Sequence, residues 1–214
     1  MSRAIRVAVC DVGLGNLRSV ERALQRAAGD VEISLTLDVT RDPDAVRRAD
    51  AVVVPGQGGF GECARALDLG LGDALREQIA RGAPYLGICL GLQVLFAESE
   101  EAPLARGLGV LPGRVVRIPG GTDPATALPL KIPHIGWNTA VSAKASLVPD
   151  APTYFYFVHS YAVVPEDPQM IAARTEYGAE LVSAVAHENI FACQFHPEKS
   201  QSAGLALLAR FLAQ

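Results

Sequence analysis

The fold of this chain is decided by the stretch Pro84-Tyr85-Leu86-Gly87-Ile88-Cys89-Leu90-Gly91-Leu92-Gln93. A short apolar run stops at Cys89, which has a glycine two residues away on each side, and a second apolar run over residues 90–97 follows at once. This pattern predicts a strand, a sharp turn and a helix, with the cysteine at the turn. Glycines suit such a turn because Cβ atoms there would collide with the adjoining strand and helix.

The spacing Gly-x-Cys-x-Gly is the cysteine form of a nucleophile elbow. The turn would lift the sulfur of Cys89 out of the sheet toward a substrate. It would also place the sulfur at a helix N-terminus, where the dipole favours thiolate over thiol. The alternative is a buried cysteine in a tight strand–helix connection. We prefer the nucleophile.

The composition limits the class of protein. With 214 residues, of which 50% are hydrophobic, the chain can bury a sizeable core. A net charge of -4 and a pI near 5.6 argue against nucleic acid as a partner. The first apolar run is too short for a signal peptide, and no uncharged stretch approaches the length of a membrane span. The 4 cysteines lack C-x-x-C pairing, so we expect a reduced, cytoplasmic protein with no metal site and no cofactor.

Outward from the elbow, apolar strands alternate with helical periodicity in the first half of the chain. Strands are predicted at residues 5–10, 31–37 and 51–54, and helices at 17–28 and 71–81. Six further strands separated by short turns follow residue 101, at 113–118, 135–141, 154–158, 170–175, 181–187 and 190–195. We therefore predict an α/β fold of three layers, a mainly parallel central sheet with helices on both faces and added antiparallel strands in the C-terminal half.

A glycine-rich loop follows the third strand, with the pattern Gly56-x-Gly58-x-x-Gly61. The pattern matches a dinucleotide fingerprint, but it does not follow the first strand, and the next strand ends in Cys89 rather than in an acid. An oxyanion hole fits better, because glycines leave backbone N–H groups exposed and peptides free to rotate.

A thiolate nucleophile needs a base and a group that orients it. His196 and Glu198 are two residues apart around Pro197, so their side chains would point the same way from an extended segment. The carboxylate would fix the imidazole tautomer and stabilise imidazolium. His159 is the rival base, but no acid stands two residues from it, and Glu188 next to His187 would point away. We prefer His196.

Together these residues resemble the triad-type glutamine amidotransferases, whose two signatures match residues 87–93 and 196–198. The narrower resemblance is to the glutaminase subunits of imidazole glycerol phosphate synthase, an enzyme of histidine biosynthesis. Four stretches carry it: Asp11-x-Gly13-x-Gly15-Asn16, residues 55–60, residues 131–138 and residues 196–200. The resemblance spans essentially the whole chain and implies a single glutaminase domain over residues 1–214.

The resemblance implies that glutamine is hydrolysed to glutamate and ammonia. Cys89 would attack the amide carbon, His196 would relay protons and Glu198 would orient His196. The oxyanion donors would be the N–H of Leu90 and a peptide of the Gln57-Gly58 loop. The substrate's amino acid end would be held by Gln93, Glu101, Ser160 and Tyr161. Gln57 departs from the pattern, since the family usually has valine there, which leaves the gating of the loop in doubt.

The resemblance also implies a heterodimer in which ammonia passes directly to a synthase or cyclase subunit. It places four residues near that partner: Asn16, Trp137, Asn138 and Lys199. One alternative is the glutaminase subunit of another amidotransferase, such as one serving pyridoxal phosphate synthesis, against which residues 131–138 argue. Another is a non-catalytic scaffold of the same fold, against which the intact set of cysteine, histidine and glutamate argues.

Overall fold

The computed structural model describes residues 4–13, 15–122 and 127–214, and within them twelve strands form one sheet. The strands before and at the elbow are β1 (Ala4–Cys10), β2 (Ser34–Thr40), β3 (Ala51–Gly56) and β4 (Tyr85–Cys89). The later strands are β5 (Phe96–Ser99), β6 (Leu111–Arg117), β7 (His134–Ser142), β8 (Thr153–His159), β9 (Tyr161–Pro165), β10 (Ile171–Glu176), β11 (Glu180–His187) and β12 (Ile190–Cys193).

The helices are α1 (Leu17–Asp30), α2 (Pro43–Arg47), α3 (Phe60–Ala66), α4 (Gly72–Ala80), α5 (Leu90–Gln93) and α6 (Gln201–Leu212). A π-helical turn over Leu67–Leu71 joins α3 to α4, and 3-10 turns cover Pro168–Met170 and Pro197–Lys199. The predicted helix after Cys89 is wrong in its length. It lasts a single turn because the chain then leaves the helix to form β5, whose Phe96 pairs with Leu111 of β6.

The main sheet has the order β2-β1-β3-β4-β12-β11-β10-β7-β8, and β9 links β6 and β5 to it through β11. The first five strands in this order run parallel. The strands β3, β4 and β12 are buried along their whole length, as expected for parallel strands covered on both faces. The predicted three-layer α/β fold is therefore confirmed.

One strand differs from the prediction in the direction of its pairing. We expected residues 190–195 to form part of the antiparallel addition, but β12 pairs parallel with β4, so that Cys193 stands opposite Ile88. The reason is that β12 follows β11 as an antiparallel hairpin partner and occupies the position between β11 and β4. All four of its residues are buried, which suits a central strand.

Two apolar layers cover the sheet, and alternate residues of one strand contribute to each. In β1, Val7 and Val9 pack with α1 and α6, whereas Ala8 and Cys10 pack with the layer built by α2, α3 and α4. This alternation follows from the period of two along a strand.

The parallel arrangement brings the predicted catalytic residues to one edge. Carboxyl ends of parallel strands lie on the same side of a sheet, which is where ligands of open α/β folds bind. Gly56 at the end of β3 stands opposite Cys89 at the end of β4. His196 follows β12, the other neighbour of β4. The loops after these three strands therefore meet at Cys89.

Candidate active site

Cys89 has the strained backbone expected of an elbow, with φ of 55° and ψ of -101°. A non-glycine residue in this region is held there by its surroundings. Those surroundings include two glycines at which a side chain has no room. A Cβ on Gly87 would lie 2.4 Å from the carbonyl oxygen of Gly91, and a Cβ on Gly91 would lie 1.8 Å from that of Val54. The spacing around the cysteine thus reflects close packing of β4, α5 and β3.

His196 and Glu198 form a buried pair. The Nδ1 of His196 lies 2.8 Å from Oε1 of Glu198, and the two side chains are only 1% and 2% exposed. The 3-10 turn that begins at Pro197 brings the carboxylate back onto the ring. The Nε2 of His196 and the Oε2 of Glu198 are buried without hydrogen-bond partners. With Nδ1 held by the carboxylate, Nε2 is the nitrogen left for proton transfer.

The electrostatic surroundings of His196 favour its charged form. Burial lowers the pKa of the ring, but the interactions with Cys89 and with Glu198 outweigh burial and raise the pKa from 6.5 to about 9. The segment that carries His196 reaches the sulfur, since Gln194, two residues before His196, has its Nε2 3.5 Å from the sulfur of Cys89. An imidazole that gains positive charge beside the sulfur is the arrangement required for a thiolate nucleophile.

A cavity of about 200 Å³ opens beside Cys89. Every residue predicted for the oxyanion hole or for substrate binding lines this cavity. They are Gln57, Gly58, Leu90, Gln93, Glu101, Ser160 and Tyr161, together with Cys89 itself. Pro133, Val158 and His159 complete its wall. The structure thus gathers residues from four distant stretches of the chain around the sulfur.

The glycine loop after β3 has the conformational features of a movable peptide. Gly58 has φ of 121°, a value that L side chains rarely adopt. The side-chain nitrogen of Gln57 is buried without a hydrogen-bond partner. The loop is held from the far side by Glu101, whose Oε2 accepts the N–H of Phe60 at 2.7 Å. Glu101 therefore supports the loop as well as lining the cavity.

His159, the rival base, is committed elsewhere. Its Nδ1 lies 2.9 Å from the carbonyl oxygen of Tyr161, and its Nε2 lies 3.0 Å from Nδ1 of His134. Burial, above all, lowers the pKa of His159 to about 3. A neutral imidazole with both nitrogens occupied does not serve as the base for Cys89.

The remaining cysteines are buried at 0% exposure. Burial raises the pKa of Cys10 and of Cys63 to about 12, and it raises that of Cys193 strongly. These thiols stay protonated near neutral pH and behave as small hydrophobic side chains. Cys89 is 5% exposed and alone among the four lines the cavity.

Two polar residues of the site were missed from the sequence. Gln194 is fully buried and its Nε2 lies 3.5 Å from the sulfur of Cys89. His134 is 3% exposed and contacts His159. A signal for Gln194 was present, because a glutamine interrupts an otherwise apolar run two residues before His196. His134 had only its place in the Pro-His-x-Gly-Trp-Asn stretch.

Two of the residues predicted at the partner interface, Trp137 and Lys199, contact the same aromatic ring, and the other two have different contacts. Trp137 is 47% exposed and meets the ring of Tyr156 edge to face at 6.1 Å. The Nζ of Lys199 lies 5.8 Å from the centroid of the same ring. Asn138 donates to the carbonyl oxygen of Glu176 and lies 3.3 Å from His134. Asn16 caps α1 by accepting the N–H of Ser19, and α1 contacts the 3-10 turn that contains Lys199.

Other kinds of site find no support in the described parts of the chain. Residues 4–13, 15–122 and 127–214 contain no group of three His, Cys, Asp or Glu side chains that could hold a metal ion. Among those same residues, no helix has the length and apolar character to cross a membrane.

Comparison with known proteins places this geometry in a family. A family model described as glutamine amidotransferase class-I matches residues 8–214. The imidazole glycerol phosphate synthase subunit HisH of Nitrosomonas europaea is 49% identical over 213 residues, which covers 96% of this chain and 97% of the relative. The subunit of the same name from Methanothermobacter thermautotrophicus is 44% identical over 208 residues, with 96% and 97% covered.

Solved structures share the fold at lower identity. A crystal structure of a glutamine amidotransferase superposes with a TM-score of 0.71 at 21% identity and covers 97% of both chains. The glutaminase domain of Trypanosoma brucei CTPS with bound acivicin gives a TM-score of 0.67 at 16% identity, covering 98% of this chain and 92% of that one.

Proposed function

The chain belongs to the class-I glutamine amidotransferase family, and from that membership we propose that it is the glutaminase subunit of an imidazole glycerol phosphate synthase. Relatives of that name match it over nearly their whole length at 44–49% identity. The reaction is the hydrolysis of glutamine to glutamate and ammonia. The four free cysteines of the chain suit the reducing cytoplasm, where we place the reaction.

One observation carries the chemistry. A strained cysteine, a buried His–Glu pair that interacts with it and a small cavity meet at the same edge of the sheet. In the first step, the thiolate of Cys89 attacks the γ-carbonyl carbon of glutamine and pushes the C=O electron pair onto oxygen. The elbow holds the sulfur at the cavity wall, so that attack takes place within the enzyme–glutamine complex and is effectively unimolecular.

The oxyanion that forms needs donors beside Cys89. The backbone N–H of Leu90 is one donor, since Leu90 follows the nucleophile and lines the cavity. A peptide N–H of the Gln57-Gly58 loop is the second, after rotation at Gly58. Removing one such donor typically costs a factor of about 10² to 10³ in kcat.

His196 moves the protons. The charged ring gives a proton from Nε2 to the leaving nitrogen, and ammonia departs as the C–N bond breaks and the thioester forms. The neutral ring then takes a proton from water, which attacks the thioester and releases glutamate and the thiolate. Glu198 holds Nδ1 throughout, so that Nε2 faces the reacting atoms.

The ammonia that is released needs a second active site that uses it. Free ammonia in water is protonated and loses its nucleophilic lone pair, which favours direct delivery to a synthase or cyclase subunit. The exposed Trp137 and the half-buried Lys199, which contact the same Tyr156 ring, form the surface that we assign to this partner in a heterodimer. Asn138, the next residue along β7, is assigned to the partner as well. Binding there reorders the glycine loop, so the isolated chain should be a weak glutaminase.

The test is glutamate release by the purified chain with and without a candidate cyclase subunit and its ligand. Release should rise at least tenfold with the partner and should vanish for Cys89→Ala in both cases. A glutamine-analogue electrophile should label Cys89 of the wild type, and peptide mass spectrometry reports the labelled position. Full-rate hydrolysis by the isolated chain would remove the partner dependence, and an unlabelled Cys89 would remove the enzymatic account.

The same assay separates the close alternatives. A glutaminase that serves pyridoxal phosphate synthesis would be activated by that synthase and not by the cyclase, and the relatives named above argue against it. A non-catalytic scaffold would release no glutamate with either partner.

A further inference from the structure

We propose that Gln194 is a further catalytic residue, because its side-chain amide donates a hydrogen bond to the sulfur of Cys89 and stabilises the thiolate. The Nε2 of Gln194 lies 3.5 Å from that sulfur. The residue follows β12 and is fully buried, so its amide does not exchange partners with bulk water. The inference rests on the proposed role of Cys89 as nucleophile.

The orientation of the amide follows from one backbone carbonyl. The Nε2 of Gln93 lies 3.3 Å from the carbonyl oxygen of Tyr161, which only accepts hydrogen bonds, so the nitrogen of Gln93 must face it. The same nitrogen lies 3.1 Å from the side chain of Gln194, whose facing atom must then be the acceptor Oε1. The remaining end of the Gln194 amide is the NH₂ group, and that end faces the sulfur.

The same carbonyl fixes a second branch of the network. The Nδ1 of His159 donates to the oxygen of Tyr161, which leaves Nε2 of His159 as an acceptor for Nδ1–H of His134. Nε2 of His134 then accepts from the amide of Asn138, which also donates to the carbonyl oxygen of Glu176. A chain of hydrogen bonds with fixed direction therefore joins Asn138, on the surface assigned to the partner, to Tyr161 and through Gln93 to the sulfur.

This network gives the thiolate a donor that is already oriented before substrate arrives. A hydrogen bond to a charged acceptor is stronger than one to a neutral acceptor, so the amide favours thiolate over thiol. Gln93, whose amide nitrogen has two acceptors, is a positioning residue here in addition to lining the cavity. His159 contacts the same Tyr161 carbonyl as Gln93, and His134 contacts His159, so these two rings extend the network away from the sulfur.

Several other titratable groups lie around the sulfur, and two of them, Glu101 and Tyr161, line its cavity. His196 acts on Cys89 from the segment after β12, with Glu198 behind it. On β8, burial lowers the pKa of His159 to about 3, so this ring stays neutral above about pH 5. On β12, burial raises the pKa of Cys193, which stays a thiol. A change at Gln194 alters none of these groups, so an effect on the sulfur reports the amide.

The experiment measures the rate at which iodoacetamide alkylates Cys89 of the full chain as a function of pH, with the labelled cysteine identified by peptide mass spectrometry. In Gln194→Met, which keeps length and removes the donor, the midpoint of the rate profile should move about one pH unit higher. At pH values below both midpoints the rate should fall about tenfold, while the limiting rate at high pH is unchanged. Gln194→Glu, which places a carboxylate beside the sulfur, should move the midpoint further.

Gln78→Met is the matched control. Gln78 is also fully buried and donates to the carbonyl oxygens of Val46 and Ala49. Its replacement costs buried hydrogen bonds away from the cavity, and it should leave the alkylation profile of Cys89 in place. Should Gln194→Met fail to fold, Gln93→Met removes what orients the amide and should move the midpoint by about half a unit.

The outcomes are separable from the fate of the proposed function. A wild-type Cys89 that resists alkylation at every pH overturns the nucleophile itself. If the wild type reacts normally and the pH profiles of Gln194→Met and Gln194→Glu both match that of the wild type, only the role of Gln194 is overturned. A shift of equal size in Gln78→Met also overturns it, because the effect would then come from loss of packing.

Discussion

At the scale of the residue, His196 is a group whose charge depends on its neighbours Cys89 and Glu198. Its pKa of about 9 in the fold lies above the value of 6.5 expected without them. A raised pKa means that protonation stabilises the folded state. This contribution is fully present below pH 6.5 and is lost as pH rises through 9.

We therefore expect the free energy of unfolding to fall by about 2–3 kcal/mol between pH 6 and pH 9.5 through this group. Urea denaturation at several pH values measures it. Cys89→Ala removes one of the two partners that raise the pKa of His196 and should flatten the dependence. Equal falls in the wild type and the variant would contradict the pairing of Cys89 with His196.

Glu198 contributes through His196. In Glu198→Gln the amide can present an N–H to Nδ1, which selects the wrong tautomer, and it carries no charge to stabilise imidazolium. We expect kcat for glutamine hydrolysis to fall about 10³- to 10⁴-fold with little change in KM. Steady-state glutamate release in the presence of the partner measures this. Glu62→Gln, a change of another carboxylate near the start of α3, is the control and should stay within twofold.

Gln57 has a buried side-chain donor without an acceptor, unlike Glu198, whose Oε1 is paired with His196. Such a group costs about 1–3 kcal/mol relative to a satisfied one. Gln57→Met, which has similar length and no amide, should raise the free energy of unfolding by about 1 kcal/mol. Thermal or urea unfolding of the isolated chain tests this. A loss of stability of the same size would mean that the amide has a partner in solution.

At the scale of the element, the elbow depends on close contact between β3, β4 and α5. In Gly91→Ala the new Cβ would lie 1.8 Å from the carbonyl oxygen of Val54, so backbone must move. We expect a loss of more than 3 kcal/mol, measured by urea unfolding. Gly29→Ala is the matched change, because nothing lies within 4 Å of its Cβ and it is within α1. It should gain about 0.5–1 kcal/mol.

The sequence predicted these elements where one local signal dominated. The apolar strands β1, β3 and β4 were recognisable because both of their faces are buried. The second strand was placed three residues too early, at 31–37 instead of Ser34–Thr40, since its residues are half exposed and give a weak pattern. The strands β5 and β9 were missed because they are short and follow other apolar elements directly.

The site was predictable to the extent that chemistry sits in contiguous motifs. Cys89, His196 and Glu198 stand in two such motifs, and the cavity residues followed from the family resemblance. Gln194 and His134 act through hydrogen bonds between strands that are distant in sequence. Their roles depend on the pairing of β12 with β4 and of β7 with β8, which no local pattern specifies.

At the scale of the whole molecule, the exposed ring of Trp137 is the strongest candidate for an anchor on the partner. It is half exposed, yet it packs against the ring of Tyr156, and the Nζ of Lys199 lies over that same ring. Aromatic residues of this kind dominate binding energy at protein interfaces. We expect Trp137→Ala to weaken association with the cyclase subunit at least tenfold, as measured by titration calorimetry.

The matched surface control is Tyr154→Ala. Tyr154 is 62% exposed on the same strand as Tyr156, and its loss should change the dissociation constant less than threefold. Alkylation of Cys89 in both variants should match the wild type in the absence of partner. An unchanged dissociation constant in Trp137→Ala would place the interface elsewhere. Equal losses in both variants would mean that Trp137 is not the anchor, because Tyr154 lies on the same face of β8 as Tyr156.

The left-handed backbone at position 89 means that keeping a cysteine there costs the fold some stability. Glycine would adopt φ of 55° and ψ of -101° without the penalty of about 1 kcal/mol or more that any other residue suffers there. Descendants released from selection for glutamine hydrolysis should therefore drift toward glycine at this position sooner than toward alanine or serine. A glycine at the elbow would then serve as a genomic marker of a copy that has been retained for some purpose other than making ammonia.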